Sequence, residues 1–320
     1  MRSWWIGLLL AVSFGCAAAA QGYPSRPITL IVPYPAGGGV DAMARIVGEK
    51  LSAALGQQVI VENRAGGGGN IGTRTVARAA PDGYTLLLGH TATISINPSL
   101  YANAGYDPRK DFSGVGLIAS MPVVLIAHPT FPAKSVAEFI ALARRDPGKI
   151  NIGTSAIGTG GYLSAELFKA MAGVDVQIVP YKGTAPLMND VVGGHVPVSF
   201  GVLAPAISNI ESGNLRALAV TSLRRFSLLP DVPTVDESGV PGFEAVLRYG
   251  LVAPRGTPPA VIGRLNAELR ALVATDAVKQ RIAAEGGDPL TSSPAEYDGD
   301  IEREAGKWAG VVSRLGLKIE

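Results

Sequence analysis

Pro27-Ile-Thr-Leu-Ile-Val-Pro33 runs into Tyr34-Pro-Ala-Gly-Gly-Gly-Val-Asp41, and a helical repeat follows with Met43, Val47, Leu51 and Leu55 on one face. A β-branched run, a glycine-rich turn and an amphipathic helix make one βα unit. The unit repeats: Gln58–Asn63 reads as a strand, Asn70–Ala80 as a short helix and Tyr84–Gly89 as a third strand. Strands and helices alternating in this way form a parallel sheet covered by helices, so the fold class is α/β.

The alternation resumes past a long apolar segment, Val115–His128. Helix Ser135–Asp146, strand Lys149–Thr154, helix Thr159–Ala172, strand Val176–Pro180, helix Ala185–Val192 and strand Val196–Gly201 follow in order. Two α/β units in a chain of 320 residues predict two lobes, each with its own core. The tail is helical, with Val261, Leu265, Leu269 and Leu272 on one stripe and Tyr297, Ile301, Ala305, Trp308, Val312 and Leu315 on another. Interlobe crossings are expected near Ser120–Val124 and Ala245–Val252. The expected partition is 21–122 for lobe one, 123–247 for lobe two, and 248–320 for a helical return to lobe one.

Ahead of this fold stands Met1-Arg2, an apolar stretch from Trp4 to Cys16, and Ala18-Ala19-Ala20. That pattern reads as a cleaved secretory signal over residues 1–20. Lipidation at Cys16 is the alternative, though Ser13 and Phe14 make a poor lipoprotein context. Cleavage removes the only cysteine, which leaves no disulfide, thiol nucleophile or cysteine-based metal site. A net charge of +2 gives no field for nucleic acid. Export to a bacterial periplasm is the natural destination.

Three glycine-rich stretches carry the chemistry. Gly37-Gly38-Gly39 lies between a strand and a helix, where backbone N–H groups converge on a helix start and suit a carboxylate or phosphate. A plain βα turn is the other reading, but three glycines exceed what a turn needs. Gly153–Gly161 occupies the matching place in lobe two, so the pair could clamp an anion from both sides. Gly67, Gly69 and Gly72 have dinucleotide spacing. They follow the second strand, however, and no acid ends the next one, so a tight turn with close helix packing is preferred. Ser155 lacks a nucleophile-elbow context because Ile157 replaces the second glycine. His90, His128 and His195 show no ligand spacing. Nothing here argues for an enzyme, a metal or a cofactor.

The chain also resembles the solute-binding proteins of tripartite tricarboxylate transporters, the Bug receptors. The resemblance rests on Tyr23-Pro-Ser-Arg-Pro-Ile-Thr-Leu-Ile-Val-Pro-Tyr-Pro-Ala-Gly-Gly38, Val61-Glu-Asn-Arg-Ala-Gly-Gly-Gly-Gly-Asn-Ile-Gly72, Pro81-Asp-Gly-Tyr-Thr85 and Asn97-Pro-Ser-Leu-Tyr101. It continues through Tyr106-Asp-Pro-Arg-Lys-Asp-Phe112, Pro180-Tyr-Lys-Gly-Thr-Ala-Pro186, Arg216–Ser222, Leu229–Thr234 and Ala253–Pro258. These motifs span nearly the whole chain after the leader.

The resemblance implies a type II-like periplasmic binding protein, two α/β lobes hinged around a cleft that holds a small organic carboxylate on backbone amides. Carried onto this chain, it points to Tyr34, Ala36, Gly37 and Gly38 in lobe one, with Thr91 and Thr93 as hydroxyls of the loop Gly89–Thr93. His90 and Ala92 depart from the small hydroxyl residues common there. In lobe two it points to Ser155, Gly158, Thr159, Tyr181, Lys182 and Gly183. Integral membrane transporter subunits are the implied partners, with a sensor domain as an alternative. Where the family frequently has an aspartate after strand 196–201, this chain has Gly201, which implies a ligand without a cationic amine. A phosphonate or other anion receptor, and an exported NAD-dependent oxidoreductase using Gly67–Gly72, remain rival readings.

Overall fold

The computed structural model describes residues 22–320, so the expected signal segment and Cys16 lie outside the described residues. β1 (Ile28–Val32) buries Ile28, Leu30, Ile31 and Val32 almost completely. A parallel strand covered on both faces requires such a run. α1 (Gly39–Leu55) lays Met43, Val47, Leu51 and Leu55 against it and stops at Gly56, whose φ of 68° is a left-handed C-cap. β2 (Val59–Asn63) and β3 (Thr85–His90) pair with β1 in parallel. α2 (Asn70–Ala77) ends three residues before the expected Ala80, closed by Arg78 as its C-cap, and Pro81 disfavours helical backbone at Ala80 itself.

Residues 91–100, which periodicity left unassigned, are helical: a wide turn over Ala92–Ile96 continues as α3 (Asn97–Leu100). After α4 (Pro108–Asp111), the long apolar segment is one strand, β4 (Phe112–Ala127). α5 (Val136–Arg145) is capped by Ser135, whose Oγ accepts from the Glu138 amide at 3.2 Å. β5 (Asn151–Thr154), α6 (Gly160–Ala172), β6 (Gln177–Pro180), α7 (Thr184–Val192) and β7 (Val198–Val202) then alternate, within one or two residues of their expected bounds. α8 (Leu203–Glu211) and β8 (Arg216–Val220) are further elements that periodicity alone did not mark. β9 (Val246–Pro254) is followed by α9 (Pro259–Val273), α10 (Asp276–Ala284), β10 (Asp288–Pro289) and α11 (Pro294–Leu315).

The strands lie in the order β2-β1-β3-β9-β4-β7-β5-β6, with β8 and β10 also paired to β4. β4 changes partners along its length. Phe112 to Pro122 pair antiparallel with β9, and Val123 to Ala127 pair with β7 and β8. Two large cores follow from this handover. One gathers Leu30, Val47, Leu86, Leu251, Leu265 and Leu269. The other gathers Phe139, Phe168, Phe200 and Phe243, with the Phe139 and Phe168 rings stacked 5.5 Å apart. α11 is shared: Tyr297 and Ile301 pack with Ile31 and Phe112, while Trp308, Val311 and Val312 pack into the phenylalanine core. α11 thus touches both clusters along its length.

Candidate functional site

The carboxyl ends of β1, β3, β5, β6 and β7 feed loops into one cavity of about 390 Å³. Open parallel sheets place ligands outside the carboxyl ends of their strands for this reason. Tyr34, Val40, His90 and Ala92 form part of one wall, with Leu100, Tyr101 and Ile319 beside them. Ser155, Ile157, Gly158, Thr159, Gly160 and Gly161 form the opposite one, joined by Thr184 and Val202.

The wall around Ser155 is built by a helix start. Thr159 is the N-cap of α6 and its Oγ1 accepts from the Tyr162 amide at 3.4 Å. Ser155 Oγ lies 2.9 Å from Thr159 Oγ1. The first N–H groups of a helix have no carbonyl partner within it, and no acidic residue stands in the first turn of α6. α7 opens next to it, since β5 and β6 are paired with Thr154 opposite Pro180, and it too has no acid in its first turn. The two helix starts give this wall a positive pole without any cationic side chain.

The start of α1 differs. Asp41 is buried there, its Oδ2 accepting from the Gly37 amide and from Arg45 Nε, both at 2.9 Å, and its Oδ1 from Asn63 Nδ2 at 3.0 Å. Burial raises its pKa, but the hydrogen bonds from Arg45, Gly37 and Asn63 outweigh that and hold it at about 2. Asp, Glu, Lys and Arg are all absent from the cavity wall among the described residues. His90 is pushed down to about 4 by burial, so it is neutral at physiological pH. Burial also raises the Tyr34 phenol, which stays protonated.

Of the residues expected from sequence, Tyr34, Ser155, Gly158 and Thr159 are brought together in the wall. Ala36, Gly37 and Gly38 lie exposed at the head of α1, outside it. Thr91 and Thr93 are turned away. Thr91 Oγ1 accepts from the Arg248 amide at 2.6 Å, and Thr93 Oγ1 donates to the His90 carbonyl at 3.1 Å. The helical path of residues 91–100 causes this rotation, and it puts His90 and Ala92 in the wall instead. Tyr181 donates to Asp190 Oδ2 at 2.7 Å and packs with the core beneath α7. Lys182 is exposed, and Gly183 is the N-cap of α7, whose first residue, Thr184, reaches the cavity. Gly201 is buried on β7 opposite Val124, so Val202 is the residue that faces the cavity at that edge.

Gly68 also lines the cavity. Its φ is 64°, and a Cβ there would fall 2.1 Å from Tyr101 Oη. A Cβ on Gly72 would fall 2.6 Å from the Arg64 carbonyl oxygen. This glycine run thus serves tight turning and close helix packing. The signal for Tyr101 was present in Asn97-Pro-Ser-Leu-Tyr101, a motif that periodicity could not place.

A neutral cleft fed by βα loops and bordered by acid-free helix starts is the geometry of a solute-binding protein. The family described as tripartite tricarboxylate transporter family receptor, TctC, matches residues 43–317, and the chain belongs to it. It is 38% identical over 318 residues to Protein BugT of Bordetella pertussis, covering 98% of this chain and 97% of that one. Among solved structures it is similar to R. palustris Rpa4515 with adipate, at 37% identity and a TM-score of 0.76, covering 93% of this chain and 100% of that one. It is also similar to MatC (Rpa3494) from Rhodopseudomonas palustris with bound malate, at 33% identity and a TM-score of 0.72, covering 91% and 100%. The family is one of receptors, not enzymes. Among the described residues no helix is long and apolar enough to cross a membrane.

Proposed function

We propose that this receptor works in the periplasm after loss of residues 1–20, captures a small organic carboxylate in the cavity, and presents it to integral membrane transporter subunits. The lobes are 21–122 with 248–320, and 123–247, and they close about β4 and the start of β9. The carboxylate sits against Ser155, Thr159 and the opening amides of α6, with Tyr34 facing it. Adipate and malate in two relatives support the ligand class.

The observation that carries the reading is the positive pole of α6 and α7 in a wall with no charged side chain. Closing around the ligand excludes water and strengthens hydrogen bonds to the anion. Ligand then selects the closed form, which a membrane partner can distinguish from the open one. With no acid to meet an ammonium group, the ligand carries no cationic amine.

A thermal-shift screen on the chain from Gln21 to Glu320, refolded to strip carried-over ligand, tests the reading. A ligand at a hundred times its Kd adds about 2.7 kcal/mol, a readily visible shift. Carboxylates raise the midpoint, their amides do not, and glutarate outperforms glutamate. A shift confined to phosphonates or to NAD rules the reading out.

A further inference from the structure

The two sides of the cavity are electrostatically unequal. The start of α1 is already occupied by Asp41, buried and bonded to Gly37, Arg45 and Asn63. Any positive pole there is met by the chain's own carboxylate. The starts of α6 and α7 carry no such acid, and they lie side by side at one edge of the sheet. The start of α2 behind Gly68 has no acid either, but its Gly69 and Ile71 amides are bonded to the Gly66 carbonyl at 3.0 and 3.4 Å, so the open anion-attracting pole of the cavity is that of α6 and α7.

Apart from the Tyr34 and Tyr101 phenols, Thr184, Asn97 and His90, the rest of the wall is largely aliphatic. Val40, Leu100, Leu247 and Ile319 face it from one side, Ile157 and Val202 from the other. Ile157 is 49% exposed and Val202 36%, so two of the larger exposed aliphatic side chains of the molecule stand in this one wall. Such exposure, gathered in a concave site, marks a surface meant to be covered. The polar groups opposite are uncharged or already engaged. Asn97 Nδ2 donates to the Gly68 carbonyl at 2.9 Å and to Asn70 Oδ1 at 2.8 Å. His90 is half-buried, with its Nδ1 accepting from the Ala92 amide at 3.3 Å. A second carboxylate on the ligand would be desolvated against these groups with no counter-charge.

We infer that the site selects a monocarboxylate: one charged head on the α6–α7 pole and an apolar alkyl or aromatic body against the aliphatic wall. The inference rests on the carboxylate reading above and narrows it. Adipate in one relative and malate in another are diacids, so the selectivity is a property of this chain's own wall.

Titration calorimetry on the full receptor tests it with two matched pairs, hexanoate against adipate and benzoate against terephthalate. Each monoacid binds at least about tenfold more tightly than its diacid. A diacid that binds as well or better overturns the inference and leaves the carboxylate reading intact, as does failure of both monoacids while a diacid binds. Hexanamide binding as tightly as hexanoate, or no binding by any of the four acids, overturns the carboxylate reading itself. A second protein, Val202→Lys, places a cation in the aliphatic wall at a position already partly exposed. Adipate gains about tenfold relative to hexanoate in this variant. An unchanged ratio overturns the placement of the ligand body against Val202.

Discussion

A Cβ on Gly160 would stand 2.5 Å from Cδ2 of Leu247, so a larger residue at the start of α6 must push the Leu247 side chain aside where α6 meets the start of β9. Gly158 meets Leu100 in the same way, at 2.6 Å. Leu247, at the proposed crossing between the lobes, packs with the β1-side core, and Leu100 lies beside Tyr34 in the cavity wall, so both contacts hold the start of α6 against the opposite wall. The φ of Gly160 is unexceptional, so Gly160→Ala does not strain the backbone, and alanine favours helix by about 1 kcal/mol in an interior. The added methyl acts as a wedge instead. We expect carboxylate affinity to fall about tenfold with no loss of thermal stability, and Leu247→Ala to restore most of it in the double variant. Calorimetry on the four proteins checks this; full affinity in Gly160→Ala alone sinks the closure argument.

Asp41 supplies a pH signature. Its pKa lies at about 2 against an ordinary 3.8. A carboxyl lowered on folding contributes stability that is present above the unfolded value and lost as pH falls through the folded one. The wild type therefore loses stability between about pH 4 and pH 2 more steeply than Asp41→Asn, which is already less stable at neutral pH. Denaturant melts of both proteins across that window measure the difference. Parallel curves would show that the buried carboxyl is not held by Gly37, Arg45 and Asn63 as described.

Much of this architecture is legible in the sequence because burial on both faces leaves continuous apolar runs at β1 and β4, and helices of three turns or more show their period. The helix starts at Gly39 and Gly160 are equally legible from their glycines. The cavity wall is less so. Thr91 and His90 differ by one residue, and which of them faces the cavity depends on the wide turn over Ala92–Ile96, a geometry without a sequence period. Ile319 and Tyr101 meet through a short parallel pairing, with the Ile319 amide donating to the Leu100 carbonyl at 2.8 Å. Contacts between positions so far apart leave no local trace. Asp41 reads locally as a helix-start acid, and only the fold shows that it also takes the Gly37 amide and the Asn63 side chain.

His90 gives a second titration, opposite to the behaviour of a histidine that gains a partner. Burial lowers its pKa from 6.5 to about 4, so the unfolded chain takes up its proton first. Stability is fully present above pH 6.5 and falls as pH drops toward 4. His90→Gln flattens the melting temperature over that interval, with the gap to wild type widest near its upper end. Because the ring stays neutral, carboxylate affinity in the wild type is unchanged between pH 8 and about 6.5. A binding constant that rises on acidification through that range would require a protonated His90 in the wall and would contradict the assignment.

Arg248 ties the entrance of β9 to α11. Its guanidinium, 11% exposed, lies 2.8 Å from Glu244, 3.3 Å from Asp300 and 3.1 Å from Glu304. Glu244 sits just before β9, where the chain leaves the phenylalanine core, while Asp300 and Glu304 are on α11, whose first half packs with Ile31 and Phe112 and whose second half packs into the phenylalanine core. Arg248→Met keeps most of the side-chain volume but leaves Asp300, 9% exposed, with Arg303 alone and Glu304, 3% exposed, with Lys307 at 2.7 Å and the Trp308 indole N–H at 3.2 Å. Removing one cation from a buried network that keeps its other partners costs about 3 kcal/mol, the low end for a broken buried pair and still more than the pair contributes against an apolar replacement. Arg248→Met is accordingly expected to lose stability on that scale in urea melts, and adding Glu304→Gln to recover a part of it. A loss under about 1 kcal/mol would put the cluster in the class of solvated surface pairs. It would also remove the reason for a cation at this position, where the chain crosses between its two cores.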